Sequence, residues 1–170
     1  TFVEDSIAGC SRVYHVAAVV SFHPKDTEIM MRVNRDATEV LVNAMLHVGV
    51  NELIHVSSVA ALGRLPNQPV HEDIPFETGP DVTAYAQSKF ESELQVWRGQ
   101  EEGLNVITVN PTIVLGEGDF ERSSSALFSM VYNGLRWYPR GSNGFVSAKD
   151  IGRAMVLLGD QGCWGQRFIL

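Results

Sequence analysis

RVYHVAAVV, residues 12–20, is an almost unbroken run of apolar and β-branched side chains. Such a run predicts a strand that is buried on both faces of a sheet. Apolar residues at helical spacing follow over residues 26–48, and Gly49 is placed to end that helix. A second short apolar run at 52–57, ELIHVS, predicts the next strand. The stretch is therefore a strand–helix–strand unit, which is the building block of parallel sheets.

The rest of the chain continues this alternation of strands and helices. We predict a loop rich in Pro and Gly over 63–82, a long helix over 82–102 and a strand over 105–109. A shorter helix over 123–133 and a small strand over 145–146 follow. A capping box at Ser147–Asp150 then opens a helix over 147–158, and a last strand lies at 167–170. This order of elements predicts an α/β fold with a doubly wound parallel sheet.

Composition limits the class of protein. Of the 170 residues, 45% are hydrophobic and 19% are charged, as in an ordinary folded domain. The net charge of −7 argues against a nucleic-acid partner. Cys10 and Cys163 lie far apart, and the five histidines lack metal-ligand spacing, so we expect neither a disulfide framework nor a bound metal. No apolar run has the length of a membrane span, and we expect a cytoplasmic protein with no membrane contact.

Tyr85 and Lys89 carry the sharpest chemical signal in the sequence. A separation of four residues near the start of the predicted long helix places both side chains on one helix face. An ammonium beside a phenol favours the phenolate and lowers the pKa of the tyrosine. Such a tyrosine can exchange a proton with a substrate hydroxyl or carbonyl. The spacing alone also arises by chance on a solvated helix.

Ser57 and Ser58 stand at the carboxyl end of the strand predicted over 52–57. Open α/β sheets bind their ligands at that end of the strands. A serine hydroxyl there can hydrogen-bond the same substrate oxygen that Tyr85 protonates. A simple turn at the strand end is the alternative interpretation of the pair.

Taken together, these segments resemble the extended short-chain dehydrogenase/reductase superfamily, of the NAD-dependent epimerase/dehydratase type. Within this superfamily, the sequence of these segments most resembles the dihydroflavonol-reductase-like branch. The resemblance runs nearly from end to end and is carried by six segments in the family's order: HVAA at 15–18, VNRDAT at 33–38, VSSVAALG at 56–63, YAQSK at 85–89, NPT at 110–112 with Gly116, and FVSAKDIGRAM at 145–155. The second segment departs from the family's NVxGT pattern at Arg35 and Ala37.

The resemblance implies a Rossmann-like fold with a small C-terminal substrate lobe, to which residues 112–147 contribute. The family's Gly-rich turn does not precede Val13. We therefore expect the first βαβ unit to be missing and residues 1–170 to be a partial, N-terminally truncated dinucleotide-binding domain. The glycines at 159–165 fit GxxGxxG, but they follow a predicted helix and precede a strand, so we predict a helix cap and a turn there.

The resemblance also implies roles for four side chains. Tyr85 would be the general acid/base, and Lys89 would lower its pKa and hydrogen-bond the nicotinamide ribose. Counting back five residues from the glycine that closes its segment selects Ser58 as the group that polarises the substrate oxygen. Asn34 has two open roles, which are support of a proton relay and support of the helix bend alone.

The implied cofactor is NAD or NADP. Its contacts would be Ala17 and Ala18 beside the adenosine ribose, Pro111 and Thr112 against the nicotinamide, and Tyr85 and Lys89. The implied reaction moves a hydride between this cofactor and a carbonyl or secondary alcohol of a small-molecule substrate. A sugar-nucleotide epimerase or dehydratase, and a non-catalytic cofactor-binding or scaffold protein, remain as alternatives. A homodimer through the two long helices is also implied, and Trp137, Tyr138 and Arg140 fall in the expected substrate lobe.

Overall fold

The computed structural model describes residues 1–66, 68–117, 126–134 and 142–170. Four parallel strands form its central sheet, in the spatial order β1 (Arg12–His15), β2 (Glu52–Val56), β3 (Asn105–Asn110) and β6 (Gln166–Ile169). A separate parallel pair is formed by β4 (Ile113–Leu115) and β5 (Phe145–Ser147). The α/β fold with a parallel sheet is confirmed.

Helices cover both faces of the central sheet. The helices of the described residues are α1 (Phe2–Ile7), α2 (Thr27–Met30), α3 (Ala37–Val48), α4 (Ala84–Glu101), α5 (Ala126–Tyr132) and α6 (Ala148–Asp160), with 3₁₀ turns at Pro24–Asp26 and Val59–Ala61. One apolar core joins the sheet to α1, α3 and α4, and a second joins it to α6. Because side chains alternate along a strand, Leu53 and Ile54 of β2 enter opposite cores.

β1 is shorter and less buried than the sequence predicts. The strand predicted over 12–20 ends at His15, and Tyr14 is 39% exposed. Beyond His15 the backbone of Val19 pairs with a side chain and not with a neighbouring strand. The Val19 N–H donates to Asn34 Oδ1 (2.8 Å), and its carbonyl accepts from Asn34 Nδ2 (2.9 Å). The predicted length of this strand was therefore wrong: its pairing with β2 stops at His15, and Val19 is paired with Asn34.

The helix predicted over 26–48 contains one wide turn. α2 leads into a π-helical turn at Met31–Asp36, and α3 then continues to Gly49, whose φ of 75° ends the helix as predicted. Beside the wide turn, Thr38 Oγ1 donates to the carbonyl of Asn34 (2.6 Å). π-turns are frequent at functional sites, and this one directs Asn34 into the interior.

Two side-chain hydroxyls cap the first turns of α4 and α6. α4 begins at Ala84, because the Thr83 side chain caps its first turn. Ser147 caps α6 by accepting from the N–H of Lys149 (3.2 Å). The predicted box partner, Asp150, instead pairs with a side chain one turn further along α6. Both helices thus begin within two residues of their predicted positions.

The predicted turn follows α6, whose last helical turn contains Gly159. Gly162 and Gly165, with φ of 67° and 76°, lie between the end of α6 and the start of β6. α5 covers most of the helix predicted over 123–133, of which residues 123–125 lie outside the described residues. Within the described part of the chain, no helix combines the length and apolarity needed to cross a bilayer.

Candidate active site at the carboxyl edge of the sheet

The carboxyl ends of β1, β2 and β3 bring the predicted site segments to one edge of the sheet. Ala17 and Ala18 follow β1 and are exposed, Ser58 follows β2, and the buried Pro111 follows β3. Thr112 ties β3 to the chain end beyond β6, because its N–H and its hydroxyl both donate to one backbone carbonyl there, at 2.8 and 2.9 Å. Parallel strands all point the same way, so these ends line one ligand-binding edge.

The Ser58 hydroxyl lies near the phenol of Tyr85 at this edge, close enough to favour the phenolate. Ser58 Oγ also accepts from the N–H of Ala60 (3.2 Å), as the cap of the 3₁₀ turn that follows β2. Burial raises the pKa of Tyr85, and the hydrogen bond from Ser58 acts in the opposite direction. The neighbouring Ser57 hydroxyl is buried and has no hydrogen-bond partner among the described residues. The structure therefore brings Ser58, and not Ser57, to the phenol.

Lys89 lies beneath the site and is only 2% exposed. Its Nζ donates to the carbonyl of Val56, the last residue of β2, at 2.9 Å, which takes one of the three N–H donors of an ammonium. Burial lowers the pKa of Lys89 to about 8, and the charge of Glu93 opposes that shift. The expectation that Lys89 lowers the pKa of Tyr85 is wrong for this structure, in which burial raises it.

Asn34 ties three parts of the chain together. Besides its two contacts with the backbone of Val19, Asn34 Nδ2 donates to Ser88 Oγ of α4 (2.9 Å). These contacts occupy three of the four hydrogen-bonding positions of the amide. They favour the helix-bend role of Asn34 over the proton relay, because the amide is committed to Val19 and Ser88.

A buried polar pair behind Ser58 was missed by the sequence analysis. Asn110 Nδ2 donates both to the carbonyl of Ser58 (2.9 Å) and to Glu93 Oε1 (2.7 Å). Glu93 Oε2 accepts from Arg167 Nη2 (2.7 Å). One signal for Glu93 was present in the sequence: it follows Lys89 by four residues, which places both charges on the same face of the long helix. Its partners are distant in sequence and carried no such signal.

A row of polar side chains crosses the sheet just below this edge. His15, His55, Thr108 and Arg167 are register partners on successive strands. His15 Nε2 hydrogen-bonds Thr38 Oγ1 (2.8 Å), and the ring centroids of His15 and His55 are 5.2 Å apart. Both imidazoles are buried packing groups, as their apolar strands predict. Over the described ranges, no group of His, Cys, Asp and Glu side chains is arranged to hold a metal ion.

Acid is expected to destabilise the fold through His15. Burial, followed by the charge of Lys89, lowers the pKa of His15 from 6.5 to about 4. Between pH 6.5 and about 4, His15 is therefore protonated in the unfolded chain and neutral in the folded chain. The free energy of unfolding then falls as pH drops from 6.5 towards 4, by up to about 3 kcal/mol. Urea titrations across that window should show a flatter fall for His15→Gln, whereas the exposed His71→Gln should behave as wild type. An equal fall in both variants would contradict this account.

Fold and site together define a Rossmann-like α/β domain, with a Ser–Tyr contact above a buried lysine at the ligand-binding edge of its sheet. The chain belongs to the NAD dependent epimerase/dehydratase family, whose sequence model matches residues 2–162. This match confirms the resemblance found in the sequence.

Individual relatives extend over nearly the whole chain. Sterol demethylase protein B of Methylococcus capsulatus is 31% identical over 99% of this chain and 52% of its own length. Anthocyanidin reductase of Arabidopsis thaliana is 27% identical over 98% of this chain and 56% of its own length. The crystal structure of gox2253 superposes with a TM-score of 0.86 and 29% identity, over 98% of this chain and 52% of that one. The chain thus spans about half the length of the curated relatives that it matches.

Trp137, Tyr138 and Arg140, which the sequence analysis placed in the substrate lobe, lie outside the described residues. Trp97 packs against a charged neighbour, since the guanidinium of Arg167 lies 5.4 Å from its ring centroid.

Proposed function

We propose that this protein is an oxidoreductase that moves a hydride between NAD or NADP and the carbonyl or secondary alcohol of a small molecule. The observation that carries the proposal is the grouping of Ser58, Tyr85 and the buried Lys89 at the carboxyl end of β2, where Lys89 Nζ donates to the carbonyl of Val56. It lies at the edge where parallel α/β sheets bind ligands. A reductase among the relatives supports the same class of reaction.

The side chains at this edge fit a nicotinamide dinucleotide. Lys89 offers a cationic donor to a ribose hydroxyl, since Val56 uses only one of its N–H groups. The small exposed side chains after β1 leave the backbone there open to a ligand. When bound, such a cofactor supplies the hydride donor or acceptor. The cofactor contacts that we propose are Ala17, Ala18, Tyr85, Lys89, Pro111 and Thr112.

Tyr85 holds the proton in this proposal. Its raised pKa keeps the phenol protonated at neutral pH. Reduction of a carbonyl delivers a proton to the carbonyl oxygen, so the protonated phenol is the form that reduction requires. Ser58 orients the phenol and hydrogen-bonds the same substrate oxygen. The proposal therefore assigns to Tyr85 the role of general acid in carbonyl reduction.

An assay of cofactor turnover separates this function from its two alternatives. The full-length protein is incubated with reduced NAD or NADP and a panel of aromatic and aliphatic carbonyls, and loss of the reduced cofactor is followed by absorbance. Net oxidation of cofactor supports the oxidoreductase. Conversion of a sugar nucleotide without net cofactor change would support an epimerase or dehydratase. A cofactor-dependent rise in melting temperature without any turnover would support a non-catalytic protein.

Phe22 favours an apolar or aromatic substrate over a sugar. Its ring is 80% exposed, and its centroid lies 6.2 Å from that of Tyr85, in an edge-on arrangement. The turn that carries it is fixed by Ser21, whose hydroxyl donates to Asp26 (2.6 Å) and accepts from the N–H of His23 (3.1 Å). An exposed aromatic ring beside the proposed acid offers a stacking surface.

Replacement of Phe22 by alanine tests this surface. Phe22→Ala should raise KM for an aromatic carbonyl by about tenfold, the scale of a lost aromatic pair, while kcat changes much less. Steady-state kinetics give both constants. Phe2→Ala is the matched control, because Phe2 is 86% exposed and lies on α1, away from the site. The same KM in the two variants would exclude Phe22 from the substrate contact.

Further expectations from the sequence remain proposals. The separate β4–β5 pair supports a small substrate lobe to which residues 112–147 contribute, within a dinucleotide-binding domain that spans 1–170. Exposed Val40 on α3 and Leu94 on α4 support a homodimer through these two helices. A cytoplasmic location agrees with Cys10 and Cys163 as free thiols.

A further inference from the structure

Glu93 is a carboxylate with no exposed surface, one helical turn beyond Lys89 on α4. Its two oxygens accept from Asn110 Nδ2 and from Arg167 Nη2, each at 2.7 Å. Burial of an ion pair is costly, and apolar side chains of similar volume often stabilise a fold as well or better. Stability alone is therefore a poor reason for a charge at this position, and its contacts point to another.

The carboxylate decides which way the Asn110 amide faces. A carboxylate only accepts hydrogen bonds, as does the carbonyl of Ser58, so both require the NH₂ group of Asn110. The opposite atom, Asn110 Oδ1, is buried without a partner in the part of the chain that the structure describes. Asn110 Oδ1 thus makes no hydrogen bond in the described part of the chain, while the NH₂ group of the same amide binds both Glu93 and the Ser58 carbonyl.

The peptide of Ser58 is held from both sides by these contacts. Its carbonyl accepts from Asn110 (2.9 Å), and the next N–H, that of Val59, donates to the carbonyl of Pro111 (3.1 Å). The hydroxyl that this fixed peptide carries lies near Tyr85, close enough to favour the phenolate. We propose that Glu93, acting through Asn110, is the positioning residue that holds the Ser58 hydroxyl against Tyr85. The inference rests on the function proposed for that site.

The second oxygen of Glu93 serves a different part of the fold. Arg167, which it binds, also donates to the backbone carbonyl of Glu72 (3.1 Å), and the Glu72 carboxylate accepts from the N–H of Ile169 (2.9 Å). This branch fastens the loop at 63–82 to β6 and does not reach Ser58. The two branches can therefore be tested separately with the same kind of substitution.

Glu93→Gln is the variant that breaks the branch to Ser58. Gln has one oxygen and one NH₂ group. The guanidinium of Arg167 retains the oxygen, so the NH₂ group meets the NH₂ group of Asn110. We expect Asn110 to turn over and to withdraw its donor from the Ser58 carbonyl. The matched control, Glu72→Gln, removes a carboxylate from the other branch and should leave Ser58 in place.

The first measurement is the pKa of Tyr85, read from phenolate absorbance as the difference from Tyr85→Phe. In the full-length protein Glu93→Gln should raise this pKa as much as Ser58→Ala does, because both remove the hydrogen bond that favours the phenolate. Glu72→Gln should not change it. The titratable groups coupled to Lys89 are Glu93 on α4, His15 on β1 and His55 on β2, and the control alters none of them.

The second measurement is a double-mutant cycle in kcat. Glu93→Gln should lower kcat by about tenfold, the scale of one lost hydrogen bond, and should add nothing to Ser58→Ala. Losses that multiply, or an unchanged pKa of Tyr85, would overturn the proposal. Asn110→Ala leaves the Glu93–Arg167 pair intact and is expected to match Glu93→Gln, so it replaces that variant if Glu93→Gln does not fold. The titration of Tyr85 needs no substrate. Absent turnover in the wild type would therefore refute the proposed function, and the pKa of Tyr85 would still decide whether Glu93 positions Ser58.

Discussion

Tyr85→Phe is expected to lower kcat for carbonyl reduction by about 100-fold or more, the scale of a lost general acid. The change removes only the hydroxyl that meets Ser58 and preserves the ring that lies against Phe22. The affinity for the cofactor should therefore change little. Steady-state kinetics in the full-length protein give kcat, and fluorescence titration gives the cofactor dissociation constant.

Tyr14→Phe provides the control for this experiment. Its hydroxyl accepts a hydrogen bond from Arg12 (3.2 Å) on β1, and it does not contact the proposed site. The same loss of a phenolic oxygen should therefore leave kcat unchanged. Near-normal kcat in Tyr85→Phe would remove this residue from the proton transfer.

Lys89→Met is expected to weaken cofactor binding by roughly 10- to 100-fold, the scale of a lost hydrogen bond from a charged donor. Methionine fills a similar volume, so the cavity under the site stays filled. The variant loses the ammonium that would bind the ribose, and it leaves the Val56 carbonyl without its donor. Titration of NAD and of NADP into both proteins measures the loss.

The wild type should show the same effect when pH is raised. Burial lowers the pKa of Lys89 to about 8, so the ammonium loses its proton as pH rises through that value. The cofactor dissociation constant of the wild type should increase there, and that of Lys89→Met should stay flat. Lys149→Met, which removes an exposed ammonium at the start of α6, should follow the wild type. A pH dependence that persists in Lys89→Met would assign it to another group.

The order of strands and helices was predictable because each strand of the central sheet carries an apolar run of its own. Ser58 and Tyr85 were predictable as partners because strand ends and helix spacing are local properties. The length of β1 was not, since the partner of the backbone beyond the strand is Asn34, fifteen residues after Val19. The sign of the pKa shift of Tyr85 failed for a related reason: a sequence shows which charges are near, but not how much water a side chain loses.

Glu93 is a residue whose position, but not whose partners, could be predicted from the sequence. Its place on the face of Lys89 was visible, but its partners Asn110 and Arg167 lie 17 and 74 residues away. Only the folded sheet brings the end of β3 and the start of β6 to the same helix. A buried charge in a predicted core helix is nonetheless a signal that a distant donor must exist.

The hydrogen bonds of Asn34 have a consequence for protein engineering. Through Val19 and Ser88, this one amide joins the segment that carries Ala17, Ala18 and Phe22 to the helix that carries Tyr85 and Lys89. A segment grafted at 16–22 from a relative would keep its shape only if the recipient has an asparagine in a π-turn and a hydroxyl on α4 in matching positions. The transferable unit is therefore not the loop but the loop together with its two distant anchors.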